Sequence, residues 1–144
     1  MWVDRPLEEV FDFFADARNL EVITPPWLHF RHVSDASIAM AEGVIIDHRL
    51  ALHGVPMRWR SRISVWEPPH RFVDEQLRGP YRKWIHEHSF SAERGGTRVA
   101  DRVQYLAPGW FLEPLVHRFF VRRSVQRVFQ YRQSKLEEIF GSAR

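Results

Sequence analysis

From Trp27 to Leu106 hydrophobic residues recur at every second position, and on either side of that stretch they recur at helical spacing. A period of two is that of a strand with one buried face, and a period near 3.6 that of an amphipathic helix. Pro6 to Phe14 reads as a short helix: Asp4 is placed to cap it, Pro6 suits its first turn, and Glu8 and Glu9 meet the positive end of its dipole. Val10, Phe13 and Phe14 then share a face. A second short helix, Ala17 to Ile23, stops at Thr24-Pro25-Pro26, because a residue before proline avoids helical angles.

The alternating stretch divides into six strand candidates: Leu28–Val33, Val44–His53, Met57–Trp66, Phe72–Arg78, Trp84–Ser91 and Arg98–Leu106. Turn chemistry separates most of them, at His53-Gly54-Val55-Pro56, Glu67-Pro68-Pro69-His70, Gly79-Pro80 and Arg94-Gly95-Gly96-Thr97. Such short connections imply antiparallel neighbours. After Ala107-Pro108-Gly109 the helical period returns. Leu112, Leu115, Val116, Phe119, Phe120, Val121, Val125, Val128, Leu136 and Ile139 mark one amphipathic helix ending at Gly141. Two short helices, antiparallel strands and a long final helix make an α+β fold, expected as one domain over residues 1–144.

Alternation also assigns faces. Ile46, His48, Leu50 and Leu52 point inward together, as do Met57, Trp59, Ser61, Ile63 and Val65, since Arg58, Arg60 and Arg62 must meet water. Trp84 and Phe90 carry His86 and His88 on their side, and Val99 and Val103 carry Asp101 and Tyr105. Phe72–Arg78 is ambiguous: Phe72, Asp74 and Gln76 oppose Val73, Glu75 and Leu77, and the first set is taken as inward. The inner face thus holds His48, Ser61, Asp74, Gln76, His86, His88, Asp101 and Tyr105. An unpaired buried polar group costs about 1–3 kcal/mol. These groups therefore either satisfy one another or surround a pocket, and the pocket is the reading adopted.

Two chemistries stay open for that face. A buried His86–Asp101 pair can hold two strands in register, or it can orient a ligand and move a proton, with His86 or His88 as base and Tyr105 as donor. His86-Glu87-His88 also places two imidazoles on one side of a strand. A zinc site needs a third ligand, for which His48, Asp74 or Asp101 are candidates, but a bare two-histidine pattern is weak evidence, and neither metal nor cofactor is expected.

Composition narrows the picture. Of 144 residues 44% are hydrophobic and 27% charged, which excludes wholesale disorder, and the absence of cysteine excludes disulfides, thiol nucleophiles and cysteine-based metal centres. An aromatic share of 14% exceeds the ordinary needs of a small core and suits a cavity for a hydrophobic ligand. No apolar run approaches the length of a membrane span, and no signal peptide is recognised, so a soluble cytoplasmic protein without integral membrane association is expected. The net charge is only +3. Arg118, Arg122, Arg123, Arg127, Arg132 and Lys135 on the final helix read as a solvated outer face. No aromatic interleaves with them as a base-stacking platform requires, and nucleic acid is not expected as a partner.

The run Arg5 to Leu20 followed by Ile23-Thr24-Pro25-Pro26, then Trp66 to Asp74, Gly79-Pro80-Tyr81 with Trp84, His86, His88 and Phe90, and Asp101 to Tyr105, resembles the START / polyketide-cyclase-like (SRPBCC) superfamily. The resemblance implies a helix-grip fold, a curved antiparallel sheet of six to seven strands wrapped around the long C-terminal helix. It implies a cavity between them for a bulky hydrophobic molecule of lipid, polyketide or aromatic type. In the ligand-binding reading Trp59, Trp84, Phe90, Tyr105, Ile46, Leu50, Val121 and Val125 supply walls. His48, Ser61, Asp74, Gln76, His86, His88 and Asp101 fix the polar end. The alternative is a cyclase/dehydratase-type enzyme using a cavity His/Asp pair as general base. The superfamily opens with a full strand beside the last one, whereas only Met1-Trp2-Val3 are available here. Either that strand is a stub or the natural start lies upstream. A stub leaves an open edge on Arg98–Leu106, from which edge-to-edge homodimerisation is expected.

Overall fold

A computed structural model describes residues 1–33, 39–107 and 121–141. Strands β1 (Trp2–Val3), β2 (Arg31–His32), β3 (Ile45–Leu52), β4 (Val55–Glu67), β5 (Arg71–Arg78), β6 (Lys83–Glu93) and β7 (Gly96–Leu106) form one antiparallel sheet in the order β1-β7-β6-β5-β4-β3-β2. Helices α1 (Leu7–Ala15) and α2 (Asn19–Val22) and a single 3-10 turn at Pro26–Leu28 separate β1 from β2. Helix α3 (Arg122–Phe140) ends at Gly141, whose φ of 88° suits a residue without Cβ. The part of the expected helix before Val121, with Leu112 to Phe120 and Arg118, lies outside the described residues.

Local chemistry explains the tight connections. Leu52 pairs with Val55 and Glu93 with Gly96, so His53-Gly54 and Arg94-Gly95 are two-residue hairpin loops. All four residues have φ between 51° and 80°, the positive pair that matches the twist of the flanking strands. At the β5–β6 connection Gln76 folds back, donating from Nε2 to the Tyr81 carbonyl at 2.7 Å and accepting from the Tyr81 amide at 3.3 Å. A Cβ at Gly79 would collide with that side chain, which accounts for glycine there.

Three details differ from the sequence pattern. Asp4 does not cap α1; Pro6 occupies the N-cap position and no side chain caps the helix. The strand expected over Leu28–Val33 is reduced to Arg31–His32, because Pro25 and Pro26 start a 3-10 turn that runs into Leu28. Val65 does not join the inner face. Ser64 is an extra residue between Ile63, paired with Asp74, and Val65, paired with Val73. That bulge reverses the alternation and turns Trp66 inward instead.

The core lies between the sheet and the helices. Phe11 is its centre, 3% exposed, with ring centroids 5.3 Å from Trp66, 6.1 Å from Phe72 and 5.5 Å from Phe90. Phe13 reaches Phe140 of α3 at 5.1 Å, so α1 ties the sheet to the final helix. On the opposite sheet face Arg60 meets Asp47 at 2.8 Å and Arg62 meets Glu75 at 3.1 Å, cross-strand pairs in contact with water. Phe11→Ala leaves a void the neighbouring rings cannot fill. It is expected to lower unfolding stability by about 3–5 kcal/mol in urea titration, and a loss under about 1 kcal/mol would show that the aromatic cluster is not the organising contact.

Candidate functional site

Strand register brings the polar inner residues together. Asp74 is paired with His86, and His88 with Asp101, so four titratable groups from three adjacent strands meet on one face. His86 Nε2 and Asp101 Oδ1 are 2.8 Å apart in a hydrogen bond. His88 Nδ1 lies 2.9 Å from the same oxygen, off the line of a hydrogen bond. The second nitrogen of each ring turns to Asp74 Oδ2, His88 Nε2 at 3.3 Å and His86 Nδ1 at 3.7 Å. The two rings sit 3.8 Å apart, and Phe72 stacks on His88 at 4.3 Å.

The cluster borders a cavity of about 190 Å³ between the sheet and the helices. Apolar walls come from Phe13, Phe14, Ile46, Leu50 and Ile63 on one side and Val125, Val128 and Phe129 on the other. Asp74, His86 and His88 line it, as do His48, Ser61, Trp59 and Trp84. Leu28, Phe30, Pro80 and Tyr81 border it as well.

Other expected site residues take different places. Asp101 stands behind the two imidazoles. Gln76 is engaged by the Tyr81 backbone. Ser61 keeps its place on the cavity wall, where its hydroxyl accepts from the Trp59 indole N–H at 3.0 Å. Phe90 is 3% exposed in the core, 5.1 Å from Phe14, and is absent from the cavity wall together with Val121 and Tyr105. Tyr105 packs instead on Tyr81 and Trp84, 5.8 Å and 5.9 Å away.

Arg132 reverses its expectation. It is 8% exposed, on the cavity wall, not on a solvated outer face. Its Nε and Nη1 have no hydrogen-bond partner, and its guanidinium lies 5.1 Å from the Phe129 ring. The signal was in the helix stripe: Val125, Val128 and Leu136 are spaced so that position 132 belongs to the same buried face.

Electrostatics follow from burial. Desolvation, with the neighbouring His88 charge, pushes His86 down to about 4 against the pull of Asp101 and Asp74, so it is neutral at pH near 7. Burial also disfavours charge at His88, but contacts to Asp101 and Asp74 outweigh it and raise its pKa. Burial likewise opposes ionisation of Asp101 and Asp74, yet the two imidazoles hold both carboxyls below the usual range. A neutral imidazole with one nitrogen fixed on a carboxylate presents the other as a proton acceptor or metal ligand.

Comparison with known proteins identifies the family and the fold. Residues 3–130 match the family model described as polyketide cyclase / dehydrase and lipid transport. The chain belongs to that family. No curated protein matches it. Its fold is similar to that of protein Ms6760 from Mycobacterium smegmatis, with TM-score 0.69, 17% identity and coverage of 96% of this chain and 86% of that one. CV1439 from Chromobacterium violaceum gives TM-score 0.72 at 11% identity, covering 100% and 94%. TTHA0849 from Thermus thermophilus gives 0.67 at 22%, covering 96% and 91%. The cyclase/dehydrase and lipid transport family implies hydrophobic ligand binding, and no helix among the described residues is long and apolar enough to cross a membrane.

His48 supplies a pH test of this polar wall. It is 5% exposed, its Nδ1 has no hydrogen-bond partner, and it packs on Phe30 and His32. Burial first, then the neighbouring His32, push it down to about 4, against Asp74, Asp47 and Glu21. The unfolded chain therefore binds a proton that the folded chain refuses, and this contribution is lost as pH falls from about 6.5 toward 4. The stability advantage of wild type over His48→Leu is expected to shrink by up to about 3 kcal/mol across that window in urea titrations. A difference that stays constant with pH would contradict a neutral buried His48.

Proposed function

We propose that the protein binds a single-ring hydrophobic molecule carrying an anionic group, with that group held by Arg132. The observation that carries this reading is the buried guanidinium on an apolar cavity wall with Nε and Nη1 unpartnered. Leaving such donors unsatisfied is costly, and an acceptor on a bound molecule removes the cost. Size narrows the ligand. An engineered apolar cavity of about 150 Å³ binds benzene, so about 190 Å³ suits one ring with small substituents better than a long lipid or a folded polyketide chain. Phe13, Phe14, Val125 and Phe129 would cover the ring.

Displacement of an apolar fluorescent probe tests this. Benzoate-type acids are expected to compete better than the matching alcohols. Arg132→Met, which keeps the length and removes the donors, should weaken the acids by about 10–100-fold, as loss of a charged hydrogen bond does. The neutral compounds should change only a few-fold. Equal competition by acids and alcohols in wild type, or no probe binding, would refute the reading.

A further inference from the structure

Three lone-pair donors converge beside the cavity. Asp101 Oδ1 accepts a hydrogen bond from His86 Nε2 at 2.8 Å, which leaves Nδ1 as the bare nitrogen of that neutral ring, while His88 Nδ1 lies 2.9 Å from the same oxygen without a hydrogen bond. His86 Nδ1 and His88 Nε2 both face Asp74 Oδ2, the first at 3.7 Å and the second in a hydrogen bond at 3.3 Å, where a metal ion would take the place of the shared proton. One donor atom from each of Asp74, His86 and His88 lies within 4.8 Å of the other two. Ligands about 2.0–2.1 Å from a tetrahedral ion stand roughly 3.3 Å apart, close to these two separations.

We propose that Asp74, His86 and His88 form a binding site for a divalent transition-metal ion of the zinc type, open toward the cavity. Donor chemistry favours it: two imidazoles and one carboxylate suit such ions, and three protein ligands leave a position for a further group. One outer partner is already present, because the hydrogen bond to Asp101 fixes the orientation and tautomer of His86 as carboxylates do behind metal-bound histidines. All three ligands line the cavity, which gives the ion a route in.

Arg132 is the natural objection, since its positive charge is buried beside the same carboxylates. The charge count answers it. Metal ligation requires both imidazoles neutral, so Asp74, Asp101 and Arg132 then sum to −1 and a divalent ion makes the site +1. Metal binding therefore leaves room for one anionic group in the cavity, within the same wall as the unpartnered guanidinium. The metal site does not depend on that ligand and stands apart from the proposed function.

The test is calorimetric titration of the chelator-stripped full chain with Zn²⁺ alone, near neutral pH. Binding at one site is expected. Asp74→Asn and His88→Gln should each weaken it by more than the 10–100-fold, in order of magnitude, expected for Asp101→Asn, while His70→Gln, at an exposed position, should change nothing. Absence of binding to folded protein, or binding indifferent to Asp74→Asn and His88→Gln, overturns the proposal. Near-UV circular dichroism checks each variant's fold. Should these variants not fold, Co²⁺ added to wild type decides: two hyperfine-shifted imidazole N–H signals support the site, and their absence refutes it. Probe binding by the stripped protein is read in parallel, so an intact cavity without a metal is distinguished from no cavity at all.

Discussion

A single carboxylate oxygen organises the inner face. Asp101 Oδ1 accepts from His86 Nε2 at 2.8 Å and lies 2.9 Å from His88 Nδ1, which fixes a His86 ring that would otherwise be free to turn over. With His86 Nε2 committed, the opposite edge of that ring faces β5, where Asp74 stands in register with it and takes the hydrogen bond of His88 Nε2 at 3.3 Å. Aromatic packing completes the constraint: Phe72 stacks on His88, and Phe129 meets His86 edge-on at 5.5 Å. The rings are held by charge along their planes and by hydrocarbon across them, an arrangement that tolerates little rotation.

The helical side of the cavity obeys a different logic. Helix α3 presents Val125, Val128 and Phe129, then Arg132, then Leu136 and Phe140 on its buried face. The apolar residues at the far end seal against the core, where Leu136 is 2% and Phe140 5% exposed. Arg132 interrupts that stripe opposite the carboxylates. Its charge offsets part of theirs across the cavity, yet its Nε and Nη1 end without hydrogen bonds. Electrostatic balance and hydrogen-bond satisfaction are thus achieved to different degrees in one place.

Much of this was legible in the residues, because a period of two offers only two faces. Once Trp84 and Phe90 are inside, His86 and His88 must be too, and the same rule carries Asp101 in with Val99 and Val103. The strand Phe72–Arg78 was harder, since both alternating sets mix apolar and acidic residues; pairing of Asp74 with Ile63 and His86 selects the set containing Phe72. Val65 was misplaced because nothing in Ile63-Ser64-Val65-Trp66 marks a bulge, and one extra residue exchanges the faces beyond it. Arg132 was misread for an opposite reason. Its helical position is a buried one, but the expectation takes charge to imply water, a rule that fails where partly buried carboxylates face the charge.

The coincidence of cavity and charge is what separates this site from a structural network. A void of about 190 Å³ forgoes packing, and at roughly 24 cal/mol per Å³ the loss amounts to several kcal/mol. Buried ion pairs are also often less stabilising than well-packed apolar residues of similar volume. Either cost alone is common in a small domain. Here both fall on the same wall, and both would be relieved by larger apolar side chains at Asp74, His88 and Arg132. A register-holding role for His86 and Asp101 accounts for neither the empty volume nor the unpartnered guanidinium. A bound molecule, as proposed above, would account for both.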